Sequence, residues 1–209
     1  MSKNRVEAFS DGVFAIVITL LILDIRVPEV DYSQLSASLV AVLPRIFAYV
    51  ISFGVIGVYW LAHHQSLQLV GKLNGFLIWL NLIYLLAVSF MPFPTALLGR
   101  YPMRPIPIVI YGLNLIVANT TGFVLTLYLR AHPESGSGLV HRASHKSLYL
   151  YGFVNLSYVL AMLLGFVAPA VSYGIFVVVL VVVIVYYSFA PVARPVDAAQ
   201  RQQAMEHSQ

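Results

Sequence analysis

RVEAFSDGVFAIVITLLILDI, residues 5–25, puts an arginine, a glutamate, a serine and an aspartate at the entrance of an otherwise apolar segment. A bilayer core about 30 Å thick takes about 20 apolar residues per helical crossing, so the length suits a membrane span. A charge at the bilayer centre costs roughly 2.5 to 3.5 kcal/mol on insertion scales. Polar groups this close to lipid are kept when they are paired or wet. The segment therefore reads as a membrane helix whose polar side has work of its own.

The rest of the chain agrees. Of 209 residues, 60% are hydrophobic and 10% charged, and the mean hydropathy is +0.85, far outside the range of water-soluble domains. Six apolar stretches, at about 8–25, 44–67, 75–98, 107–130, 148–168 and 170–190, predict an all-α integral membrane protein with six transmembrane helices per subunit. On this reading residues 1–190 form the transmembrane domain and 191–209 a polar tail. Pro44 and Pro107 fall where first-turn prolines are tolerated, and Pro169 lies in a tight connection between antiparallel neighbours. The first span is followed by Asp24 and Arg26 instead of a small-residue cleavage site, so it is expected to stay in the mature protein.

With no cysteine, disulfides and thiolate metal sites are excluded. The net charge of +4 is scattered over loops, which argues for topology and against nucleic-acid binding. An inside N-terminus puts Lys3, Arg5, Lys72, Arg130, Arg142, Lys146, Arg194 and Arg201 on the inner side and leaves Arg26, Arg45, Arg100 and Arg104 outside. That asymmetry follows the positive-inside rule, with both termini cytoplasmic. The longest inner loop, residues 132–146, contains PESGSG and is expected to be mobile. The charged entry of the first span has no counterpart at the fourth, which weakens an inverted-repeat architecture.

On a helical wheel with Ile16 at zero and about 100° per residue, Phe9, Thr19, Leu20 and Leu23 form one stripe with Ile16, while Glu7, Ser10 and Asp11 cluster opposite. Partners for the polar side are available at plausible depths: Trp60, His63 and His64 in the second span and Asn81 in the third. Two plainer readings stand beside this one. Ser10 and Asp11 also suit a helix start, where they satisfy free N–H groups, and branched aliphatic stripes pack against lipid or protein in most membrane helices.

Other classes fit less well. An intramembrane enzyme needs converging ionisable groups at depth, and no such motif occurs. His141 and His145 have metal-ligand spacing on a helix, but with only Glu134 near them in sequence no metal site is expected. The glycine and serine loop at 134–138 lacks the lysine of a phosphate loop. A secondary transporter for a small cation or proton-coupled solute is the alternative, because MPFPT at 91–95 is able to break the third span, although its place near the outer end favours a kink.

Arg5, three residues on Phe9, then Ser10 and Asp11 resemble the R-x-x-x-F-S-D signature of the transmembrane protein 175 family, the endolysosomal potassium channels and their bacterial homologues. YWLAHHQ at 59–65, WLNLIYLL at 79–86 and PFPTALLG at 92–99 extend the resemblance through the first half of the chain. A single six-helix repeat implies the bacterial arrangement: a homotetramer in the cell membrane (the bacterial inner membrane), with a central pore lined by helix 1 and contacts only to its copies, to lipid and to potassium ions. The resemblance makes Ile16 the pore constriction, Leu20 and Leu23 the next rings outward, and Thr19 the nearby hydroxyl layer. Arg5, Phe9, Ser10, Asp11, Trp60, His64 and Asn81 become the structural network that orients helix 1, with His64 preferred to His63. It implies a potassium-selective cation channel, only weakly selective over sodium, with no cofactor and no T-V-G-Y-G filter, none of which occurs here. Asp24, Glu29 and Asp31 against Arg26 give the outer mouth a net charge of −2, enough to concentrate cations if the loop has a role.

Overall fold

The computed structural model describes residues 2–136 and 145–189, without the side chains of 145–147. The tail at 191–209, His141 and the far part of the 132–146 loop lie outside the described residues. Those described form seven helices: α1 (Lys3–Leu20), α2 (Leu35–Gln68), α3 (Gly75–Phe90), α4 (Pro92–Arg100), α5 (Pro105–Ala131), α6 (His145–Leu164) and α7 (Pro169–Phe189). Together α3 and α4 make one apolar span, Gly75–Arg100; among the described residues five segments are long and apolar enough to cross a membrane, and Leu148–Leu164 in α6 is a sixth, shorter apolar helix. It is an integral membrane protein.

Two helix starts differ most from the sequence reading. α1 starts at Lys3 rather than at residue 8, and a short 3₁₀ turn, Leu21–Asp24, extends it. At about 1.5 Å per α-helical and 2.0 Å per 3₁₀ residue, the whole segment is about 35 Å long and spans the hydrocarbon. Ser10 and Asp11 consequently lie two turns inside the helix and cap nothing. α2 starts at Leu35, so Pro44 sits in a helix interior. Proline there withholds one N–H from the carbonyl four residues earlier; the run LSASLVAVL before it is helical nonetheless, and taking the proline as a start signal misplaced the boundary.

The third span breaks at Met91. Neither Pro92 nor Pro94 has an N–H to give, and the Met91 amide turns to the Val88 carbonyl at 3.0 Å, a tighter i−3 contact. Thr95 repairs the ladder by donating both its amide (3.2 Å) and its hydroxyl (2.8 Å) to the Met91 carbonyl. Its hydroxyl also lies 2.8 Å from Ser52 Oγ, which is 3.1 Å from the Tyr111 hydroxyl, so the break is stitched to α2 and α5. It is a kink supported on both sides, as expected for prolines near one end of the span.

Helices α2, α5, α6 and α7 surround a core that includes Ile56, Val88, Ile108, Tyr111, Ala161 and Phe176. Gly99 admits α4 against α2: a Cβ there would meet the Arg45 Cα at 2.8 Å, a backbone atom that cannot swing away. At the opposite end Lys3 Nζ donates to the Val70 carbonyl at 3.1 Å, and the Gly71 and Lys72 amides donate to the Ser135 carbonyl at 2.9 and 3.1 Å. Asn74 caps α3 through the Leu77 amide and donates to the Tyr128 hydroxyl at 2.8 Å. Lys3 and Lys72 therefore share one end of the bundle, and Arg45 and Arg100 the other, while Arg142, Arg194 and Arg201 lie outside the described residues.

Candidate functional site

The buried residues of α1 are Val6, Ser10, Phe14 and Val17, continued by Leu21 in the 3₁₀ turn. Steps of three and four residues make these one face, centred about 120° around the helix from Ile16 at about 100° per residue. The packed side is thus the edge of the polar cluster that contains Ser10. Ile16 is 60% exposed and Leu23 66%, and Leu20 and Thr19 are also exposed. The whole predicted stripe turns away from its own subunit.

Ser10, fully buried, fixes that rotation. Its hydroxyl donates to the Val6 carbonyl at 2.8 Å and receives the Asn81 amide at 3.3 Å. Asn81 Oδ1 in turn accepts from His63 Nε2 at 2.6 Å, in an arrangement that satisfies all three polar side chains when the imidazole proton is on Nε2. One hydrogen-bonded chain therefore runs from α1 through α3 to α2. The histidine is further held between aromatic rings, stacked on Tyr84 at 5.2 Å and tilted against Phe14 at 5.6 Å. Beside it, Trp60 Nε1 donates to Asp11 Oδ1 at 2.9 Å, a second tie from α2 to α1 nearer the surface.

His63, not His64, is the histidine of this chain, which corrects the preference for His64. His64 points outward, stacks on Trp60 at 6.1 Å and lies 3.2 Å from the Gln68 side chain. The signal was present in the spacing of α2, where Val55, Tyr59, His63, Ser66 and Leu67 make one buried stripe that skips residue 64. Tyr84 is the member that the sequence reading missed, since an aromatic in an apolar span carries no mark of stacking on a histidine. Arg5 and Phe9 do not join the network within the subunit. Both are exposed, on the same side of α1 as Ile16.

Thr19 adds a polar element to the exposed stripe. Its hydroxyl donates to the Ile16 carbonyl at 2.7 Å, with Ala15 O at 3.1 Å, so what it presents outward is the oxygen lone pairs. An oxygen acceptor suits a cation. At the end of the segment remote from Lys3, Glu29 and Asp31 are exposed and Asp24 is half-buried at the close of the 3₁₀ turn. The stripe runs from these acidic residues through Leu23, Leu20 and Thr19 to Ile16.

The family model for the endosomal/lysosomal potassium channel TMEM175 matches residues 5–92, which contain every member of this network. A potassium channel of Chryseobacterium sp. (strain P1-3) is 36% identical over 180 residues, covering 86% of this chain and 91% of that protein. The human endosomal/lysosomal proton channel TMEM175 is 28% identical over 149 residues, 70% of this chain but 30% of its own length. Among solved structures, a lysosomal potassium-selective channel TMEM175 homolog from Chamaesiphon minutus superposes with a TM-score of 0.77 at 31% identity, covering 88% of this chain and 97% of that one. On sequence and fold alike, the chain belongs to the TMEM175 family of ion channels, not to any family of enzymes.

Proposed function

We propose that the protein is one subunit of a homotetrameric potassium channel in which four copies of α1 surround the pore. The single observation that carries this reading is the division of α1: Ser10 and its neighbours are locked inward, and Ile16, Leu20 and Leu23 are left bare on a different side. A relative covering most of this chain is named a potassium channel, and the similar solved structure is titled potassium-selective.

Four Ile16 side chains around an axis make a narrow apolar ring that dewets when tight. An ion crossing it sheds water, and potassium does so more readily than sodium or divalent ions. Selectivity then comes from the cost of dehydration, with Thr19 oxygen atoms offering compensation just above the ring and Asp24, Glu29 and Asp31 raising the local cation concentration. The permeant ion is potassium, no cofactor is involved, and the preference over sodium is weak compared with a carbonyl filter. The protein resides in a bacterial inner membrane with both termini in the cytoplasm.

Recording from purified, reconstituted protein under asymmetric potassium and sodium tests this directly. Discrete unitary currents whose reversal potential is displaced from zero toward the potassium equilibrium potential are expected. Saturating, substrate-coupled flux without unitary steps would instead establish the transporter alternative.

A further inference from the structure

Phe14 and Ile16 belong to one turn of α1. At about 1.5 Å and 100° per residue they stand about 3 Å apart along the axis and about 160° apart around it. Of the buried residues of α1, Phe14 therefore lies most nearly opposite Ile16, and it is the part of that turn which bears on the bundle.

Two rings meet Phe14 there. His63 of α2 lies 5.6 Å away with its plane tilted by 54°, and Tyr84 of α3 lies 6.2 Å away, tilted by 50°. His63 and Tyr84 stack on each other at 5.2 Å, so three helices each give one ring to a closed triangle. Centroid separations of about 4.5–7 Å are those at which aromatic pairs attract.

Of the three, Tyr84 is anchored from behind. It is buried, and its hydroxyl donates to the Tyr59 carbonyl at 2.9 Å. That carbonyl lies four residues before His63 and takes the His63 amide in a regular helix, so Tyr84 holds the histidine's turn by its backbone as well as by its ring. Tyr59 in turn packs 6.2 Å from Tyr84 and donates its hydroxyl to the Leu115 carbonyl of α5 at 3.1 Å. A line of ring contacts runs from the back of the Ile16 turn to the backbone of α5.

The bonds among Ser10, Asn81 and His63 fix the rotation of α1, but rotation does not set how far the helix stands from the bundle. Packed rings do, because close-packed interiors resist compression and a side chain removed from one leaves space into which its neighbours partly collapse. We infer that Tyr84 is a specificity-determining positioning residue: its ring, seated behind Phe14, sets how far α1 stands out toward its copies and hence the width of the Ile16 constriction. The inference rests on the tetrameric pore. There every α1 steps back together, so a small retreat is doubled across the axis, and a wider ring holds water.

Maps of the full-length tetramer in lipid nanodiscs, together with bilayer recordings, test it on the parent and Tyr84→Leu. The Ile16 side chains should stand further apart across the axis in the variant, and the potassium-to-sodium permeability ratio should fall toward unity. An unchanged separation with an unchanged ratio would overturn the inference, whereas a parent map without α1 at the axis would remove the pore reading itself. Tyr84→Phe keeps the ring and should keep the parent's ratio with a lowered melting temperature; a fall as large as that of Tyr84→Leu would take the role away from the ring. Tyr111→Leu removes another fully buried ring, on α5, and should lower the melting temperature while leaving the ratio alone. An equal fall there would mean general loosening and contradict the assignment. Phe14→Leu shortens the same stack from the side of α1, and gives the reading where Tyr84→Leu does not assemble.

Discussion

Replacing Ile16 with asparagine is expected to drive the potassium-to-sodium permeability ratio toward unity and to raise the unitary conductance. The isoleucine is 60% exposed on its own subunit, so the substitution disturbs little internal packing and acts on the side of α1 that the subunit leaves bare. Four carboxamides in place of four branched alkyl groups give water a foothold where the ring would otherwise dewet. Each ~1.4 kcal/mol taken off the crossing barrier is about tenfold in rate, so even partial wetting is large on the scale of a current recording. Sodium gains most, because it holds its hydration shell more tightly than potassium. Reversal potentials and single-channel amplitudes measured in the same bilayers check both halves of the claim. Unchanged values for both would remove Ile16 from the pore.

Asn81→Leu should have the next largest effect, on the placement of α1. Asn81 links Ser10 to His63, and leucine keeps its bulk while removing both polar ends. Interhelical hydrogen bonds in membrane proteins average about 0.6 kcal/mol with a maximum near 1.7, so losing two costs about 1–2 kcal/mol per subunit, felt in every copy of an assembly. The buried His63 donor is left without a partner, and the bond from Trp60 to Asp11 is the side-chain tie between α2 and α1 that remains beside the apolar packing of Val6, Phe14 and Val17. A lowered melting temperature and loss of potassium current are the expected outcome. His64→Ala, on the outward side of the same helix, should stay within about 0.5 kcal/mol of the parent, as surface substitutions usually do. Equal damage from the two variants would return His64 to the network.

Much of this was legible in the residues, and the failures have physical causes. The six apolar runs all lie in helices, because a segment in lipid must satisfy its own backbone. The stripe of Ile16, Leu20 and Leu23 and the opposed Ser10 were placed by helical spacing alone, and the structure keeps them apart in the same way. Boundaries were harder to read. Pro44 looked like a start because isolated helices avoid interior proline, whereas neighbouring helices in a bundle tolerate it. His63 and His64 are chemically identical, and only the rotation of α2 distinguishes them. Arg5 and Phe9 belong to the motif as written, yet their side chains leave the subunit, a direction that no single sequence discloses.

The central claim is that the bare side of α1 looks at other copies of α1. Since the chain has no cysteine, Leu23→Cys introduces a single thiol on that side, 66% exposed in the parent residue. Mild oxidation of this variant in native membranes should yield a covalent dimer that reducing agent dissolves. A product that stays monomeric under conditions that oxidise the thiol would place the stripe against lipid and contradict the account.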